Sequence, residues 1–202
     1  MNDSLFCRIA DEVDKHGIAV FESSMPADVL SALYEEAKAA YHEGDFVAAS
    51  VGKGLEKQRI SELRGDRIRW LHRDSASEPL RLYWSFLDAL MQHLSGFFRV
   101  HLERIELHYA VYPPGSFYTR HLDQFREHSN RIFTVILYLN PNWKPGHGGE
   151  LVAYLPHSTL SISPVMGNMV VFRSDLIEHE VLPARDHRLS LTGWMRRDSF
   201  VF

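Results

Sequence analysis

Apolar residues follow two different rhythms along this chain, and the change falls near its middle. In the first half they recur at helical spacing. Leu5, Ile9 and Val13 mark one helix that runs to Lys15, where His16-Gly17 stops it. Residues 17–21 then read as a short strand. Pro26 opens a second helix, with Val29, Leu30, Leu33, Ala37 and Ala40 on one face and Glu35, Glu36 and Lys38 on the other. A third is expected over residues 79–98, with Leu82, Phe86, Leu90 and Leu94 turned inward. Such stripes read as core packing against a sheet.

The second half has the rhythm of strands. Tyr109, Val111, Phe117 and Tyr118 stand in β-prone runs on either side of the turn Pro113-Pro114-Gly115-Ser116. Residues 131–140 are almost continuously apolar between polar flanks, as in a buried strand. Short strands are expected at 150–155, 158–163, 168–173, 178–182 and 188–195, separated by turns rich in Pro and Gly. Many short strands at this spacing point to a jelly-roll sandwich or barrel, in which strands distant in sequence face each other across a cavity. No linker or internal repeat divides the halves. The expectation is one α+β domain over residues 1–202, with a jelly-roll core in 101–202 buttressed by the helices of 1–100. Residues 46–66 are polar and long for a connection inside a compact domain, which leaves two readings: a surface hairpin, or a loop that closes over a substrate.

Composition narrows the class. At 202 residues and 45% hydrophobic, the chain is large enough to bury a full core. A net charge of −4 gives no general attraction for nucleic acid or anionic membrane. The apolar stretches are too short to span a bilayer, and the first eight residues lack a signal-peptide pattern. The sole cysteine, Cys7, excludes an internal disulfide framework and suits a reducing compartment. A cytoplasmic monomer is expected.

The strand-rich half carries the chemistry. His121 and Asp123 form a His-x-Asp pair, His179 follows 56 residues after Asp123, and Arg188 lies nine residues beyond that. Two imidazoles and one carboxylate make the facial triad that holds non-haem Fe(II) with coordination positions left open. An Arg one strand-length further on can grip the far carboxylate of a 2-oxo acid through a planar, bidentate pair. A second His-x-Asp, His72-Arg73-Asp74, is followed by no apolar strand, and no Asn follows Asp74 at the offset of a kinase catalytic loop. Residues 146–149 lack the Lys and Ser/Thr of a phosphate loop and read as a turn. His108, His128, His147 and His187 read as solvated or structural.

Several segments together resemble the prolyl 4-hydroxylases that act on hypoxia-inducible factor, and their bacterial relatives. They are Lys15-His16-Gly17-Ile18-Ala19-Val20, Arg64-Gly65-Asp66-Arg67-Ile68-Arg69-Trp70 and Tyr118-Thr119-Arg120-His121-Leu122-Asp123. Further on come Tyr138-Leu139-Asn140, Gly148-Gly149-Glu150-Leu151, His179-Glu180-Val181 and Arg188-Leu189-Ser190-Leu191-Thr192-Gly193-Trp194. The resemblance implies a double-stranded β-helix that uses Fe(II), 2-oxoglutarate and O₂, with ascorbate as a reductant, to hydroxylate a prolyl residue at C4. It implies iron ligation by His121, Asp123 and His179, and a hold on the 2-oxoglutarate C5 carboxylate by Arg188 and Tyr138. Tyr112 would hydrogen-bond close to the iron, Thr192 would hold a metal-bound water, and Trp194 would wall the substrate pocket. Arg64, Asp66 and Arg131 would border that pocket, with an Arg131–Asp66 ion pair anchoring the long loop. For bacterial members the resemblance points to elongation factor Tu as the protein substrate, whereas animal members sense oxygen through a transcription factor.

Three rivals remain: a hydroxylase of free amino acids or other small molecules, a demethylase of alkylated nucleic acid, and a catalytically inert binding module of the same fold. The demethylase signature Arg-x-Asn-x-Thr-x-Arg is matched at only two of four positions by Arg188-x-Ser190-x-Thr192-x-Trp194. An inert module would have lost a metal ligand or the Arg, and neither is missing.

Overall fold

A computed structural model describes residues 3–23, 25–49, 63–124 and 130–197. The three expected helices are present as α1 (Asp3–His16), α2 (Ala27–His42) and α3 (Glu78–Phe98). Gly17 ends α1 because the chain there adopts φ +76°, and its N–H closes the helix on the Val13 carbonyl. Ser77 caps α3, its hydroxyl accepting from the Leu80 N–H at 3.4 Å, with Pro79 in the first turn. The inward stripe of α3 includes Leu80, Tyr83, Leu87, Leu90 and Leu94 together with Phe86. Leu82 is the exception to the expectation: it is 48% exposed, because it falls between the turns of that stripe.

Eleven strands are assigned among the described residues. In the N-terminal half lie β1 (Ile18–Glu22), β2 (Val47–Ala48) and β3 (Arg67–Leu71). The rest are β4 (Arg104–Tyr112), β5 (Tyr118–His121), β6 (Arg131–Tyr138), β7 (Leu151–Leu155), β8 (Ser158–Ile162), β9 (Asn168–Arg173), β10 (Glu178–Val181) and β11 (Arg188–Arg196). The larger sheet has the order β1-β9-β6-β11-β4-β3-β2 and the smaller β5-β10-β7-β8, all neighbours antiparallel. β2 is a short edge strand that the sequence pattern does not announce; residues 50–62 of the expected loop lie outside the described residues.

The large sheet has two buried faces. Leu107, Tyr109, Val111, Val135, Leu137 and Leu191 pack against the helices. The alternate residues Ala110, Tyr112, Ile136, Tyr138 and Val170 face Leu151, Ala153 and Val181 of the small sheet. Two sheets enclosing a core, with helices on one outer face, are the jelly-roll with helical buttress that was expected. The cavity opens between the sheets.

Candidate active site

The register of the small sheet assembles the metal cluster. His121 on β5 and His179 on β10 are direct cross-strand partners, and Asp123 lies just beyond the end of β5. One ligand atom from each of His121, Asp123 and His179 lies within 4.8 Å of the others. The Nε2 atoms of His121 and His179 stand 3.6 and 3.8 Å from the two Asp123 oxygens. Each imidazole has its Nδ1 against a backbone carbonyl: Thr119 at 2.7 Å for His121, Ile177 at 3.1 Å for His179. Donation there leaves both Nε2 lone pairs turned to the common centre, which is how metal-binding histidines are oriented.

The protonation states fit the same task. Burial alone would push the Asp123 carboxyl upward, but the facing imidazoles, His179 foremost, and the Thr134 hydroxyl at 2.7 Å hold it below the ordinary carboxylate range. Burial pushes the His179 imidazole down against the pull of Asp123, which favours its neutral form. Thr134 is also hydrogen-bonded to Ser174 at 2.8 Å, and both are fully buried. This hydroxyl relay behind Asp123 was not anticipated, because nothing in the spacing of Thr134 and Ser174 marks them. Tyr118 stacks on the His121 ring at 3.6 Å, and the Phe172 edge meets His179 at 4.7 Å. A donor set of two imidazole nitrogens and one carboxylate suits Fe(II). The rival His-x-Asp at His72 sits at an exposed short 3-10 turn, where Arg73 pairs with Asp88 instead.

A second feature shares the cavity, which measures about 230 Å³. Arg188, at the start of β11, is 3% exposed, and no carboxylate among the described residues pairs with it. Its Nε donates to the Gly149 carbonyl at 3.1 Å and one terminal nitrogen to the Ser190 hydroxyl at 3.2 Å. Gly149 can offer that carbonyl because its backbone takes φ +74°, and a Cβ there would crowd the Arg188 stem at 3.3 Å. The guanidinium lies 4.8 Å from the Tyr112 ring and 5.0 Å from the Tyr138 ring. The Tyr138 hydroxyl is buried, with the Arg188 guanidinium its one polar neighbour among the described residues. A buried cation lacking its anion, beside a buried hydroxyl, is costly unless a ligand completes it. A dicarboxylate bound to the metal at one end would satisfy both at the other, so the residues fit 2-oxoglutarate.

Thr192 and Trp194 line the same cavity, as do Tyr112, Arg64, Asp66 and Arg131. The expected Arg131–Asp66 ion pair is not formed. Arg64, only two residues away, takes the Asp66 carboxylate through two nitrogens at 2.7 and 2.6 Å. Arg131 instead lies over the Trp194 ring at 3.5 Å and approaches Glu106 at 3.5 Å. His108, read from sequence as solvated or structural, is 2% exposed and lines the cavity between Trp70 and Trp194. His147 approaches Asp186 at 3.8 Å and His187 is exposed, away from the metal cluster; His128 lies outside the described residues.

Residues 107–196 match the 2OG-Fe(II) oxygenase superfamily, a span that includes the triad and Arg188. A prolyl-4-hydroxylase from Pseudomonas putida superposes with a TM-score of 0.87 at 37% identity, over 96% of this chain and 100% of that one. A Trichoplax adhaerens prolyl hydroxylase, solved with a hypoxia-inducible-factor oxygen degradation domain peptide, superposes with a TM-score of 0.86 at 26% identity, over 96% and 90%. Egl nine homolog 1 of Rattus norvegicus is 28% identical over 90% of this chain and 56% of its own length. The chain spans about half the length of such curated relatives. It belongs to the 2OG-Fe(II) oxygenases, and within them to the prolyl hydroxylases.

Proposed function

We propose that this chain hydroxylates C4 of a prolyl residue in a protein substrate, using Fe(II), 2-oxoglutarate and O₂. The observation that carries the reading is that the His121–Asp123–His179 cluster and the unpaired Arg188 line one cavity, with aromatic residues around the remaining wall. His121, Asp123 and His179 would hold the metal. Arg188 and the Tyr138 hydroxyl would hold the far carboxylate of 2-oxoglutarate. When bound, metal and co-substrate supply the oxidising chemistry, the co-substrate leaving as succinate and CO₂ while a C–H bond of the substrate becomes C–OH.

The protein's own contribution is orientation and dryness. Thr134 and Ser174 fix the Asp123 carboxylate, and the Thr119 and Ile177 carbonyls fix the imidazole rings. Gly149 and Ser190 lock the Arg188 fork so that it meets a carboxylate without rearrangement. Tyr112, Ile136, Leu151 and Val181 leave little room for bulk water around the reacting end. For the partner, the relative solved with a peptide supports a protein substrate. Elongation factor Tu, in a cytoplasmic setting, is the candidate we would test first, on the resemblance to bacterial members.

The test is mass spectrometry of purified elongation factor Tu, and of whole host extract, after incubation with the intact protein or Asp123→Ala. A one-oxygen gain on a proline is expected, dependent on 2-oxoglutarate and absent with the variant. Succinate production with no oxidised proline in any protein would replace the reading with a small-molecule hydroxylase.

A further inference from the structure

His108 is a polar group of the cavity that the reading above leaves without a task. It occupies β4 opposite Trp70 of β3 and Thr192 of β11. Along the same pair of strands, Tyr112 opposes Arg188 at one end of the cavity and Glu106 opposes Trp194 at the other. His108 therefore stands between the anion end and the tryptophan end. Its ring centre lies 5.0 Å from that of Trp70 and 5.1 Å from that of Trp194. Its Nδ1 is enclosed without a hydrogen-bond partner among the described residues, so a proton placed there would have no acceptor. Nε2 is not enclosed in this way and His108 lines the cavity, so the tautomer protonated at Nε2 can donate into it. The Trp194 indole N–H is likewise enclosed and unpartnered.

We propose that His108 is a specificity-determining residue, donating a hydrogen bond from Nε2 to the main-chain carbonyl of the target prolyl residue while Trp70 and Trp194 wall its ring. This rests on the prolyl reading. The chemistry is complementary: a peptidyl proline has an apolar ring, no N–H, and only carbonyl acceptors on its main chain. A wall of aromatic faces carrying an N–H donor matches that group. Burial, with the charges of Arg64 and Arg131, pushes the imidazole down to about 3, so the donor is neutral at physiological pH and does not select for acidic flanking residues.

The test compares wild type, His108→Met (similar bulk, no donor) and His108→Gln (donor kept). Each is loaded with Fe(II) and 2-oxoglutarate and given short blocked peptides with one central proline between randomised flanks; hydroxylation is read by mass spectrometry. For the best peptide, His108→Met is expected to raise KM about five- to tenfold with a smaller change in kcat, and His108→Gln to stay within about twofold of wild type. Equal KM for His108→Met and wild type would overturn the contact and leave the prolyl reading standing. Equal losses in both variants would assign the effect to ring packing and overturn the donor role. Succinate formation by wild type with no hydroxylated peptide in the library would overturn the prolyl reading and this contact together.

Discussion

The two faces of the large sheet are made from the same strands and are equally buried, yet their chemistry is opposite. On the helix side, Leu107, Val111, Val135, Leu137 and Leu191 carry no polar side-chain atom and Tyr109 bonds Glu36; the unpartnered polar atoms buried there belong to α3, on Tyr83, Trp84 and His93. One residue along in each case, His108, Tyr112, Thr134, Tyr138, Ser190 and Thr192 turn toward the other face. There the His108 Nδ1 has no hydrogen-bond partner among the described residues, and the Tyr138 hydroxyl has only the neighbouring Arg188 guanidinium. Each such group costs on the order of 1–3 kcal/mol in the free protein. The cost is tolerable because every fully buried Leu or Val on the opposite face contributes about 1.5–3 kcal/mol. Stability and ligand recognition are thus separated by a single step along the backbone.

That separation can be broken from either side. Leu137→Ala, on the helix face, should cost about 2–5 kcal/mol in urea or thermal unfolding, with 2-oxoglutarate affinity unchanged in the folded fraction. Loss of affinity without loss of stability would contradict the division. Arg188→Met should do the reverse. Removing a buried, unpaired cation is expected to leave stability level or raise it by about 1 kcal/mol, while 2-oxoglutarate binding weakens about a hundredfold by calorimetry.

The smallest effect concerns acid. His108 has a folded value of about 3, below its ordinary 6.5, so it binds a proton more readily when the chain is unfolded. Its contribution to stability is complete above pH 6.5 and is lost as pH falls toward 3, at up to about 1.4 kcal/mol per pH unit. The melting temperature of wild type should therefore fall more steeply than that of His108→Met between pH 6.5 and 4.5. Parallel curves would mean that the imidazole is not held neutral by its surroundings.

The triad and Arg188 were legible because the chemistry restricts both residue type and spacing, and the rival His72-Arg73-Asp74 is followed by no apolar strand. The helices were legible from their stripes, apart from Leu82. Most strand ends fell within two residues of expectation because Pro and Gly punctuate them. What could not be read is whatever depends on pairing between distant strands. β6 runs apolar without a break, so sequence alone does not say that Thr134 and Tyr138 face a cavity while Val135 and Leu137 face helices. His108 read as a solvated or structural histidine, and its place in the cavity emerged only with β3 and β11 beside it. Asp66 had two arginines to choose from, and the local one took it.

The direct pairing of His121 with His179 has a meaning for folding as well. A metal ion shared by the two rings would act as a removable cross-link, closing a loop of roughly 60 residues that spans β6 to β9. By the entropy of loop closure, such a tie restricts the unfolded ensemble by on the order of 4 kcal/mol. Iron scarcity would then loosen the fold as well as idle the chemistry, and the protein's lifetime would follow the supply of its metal.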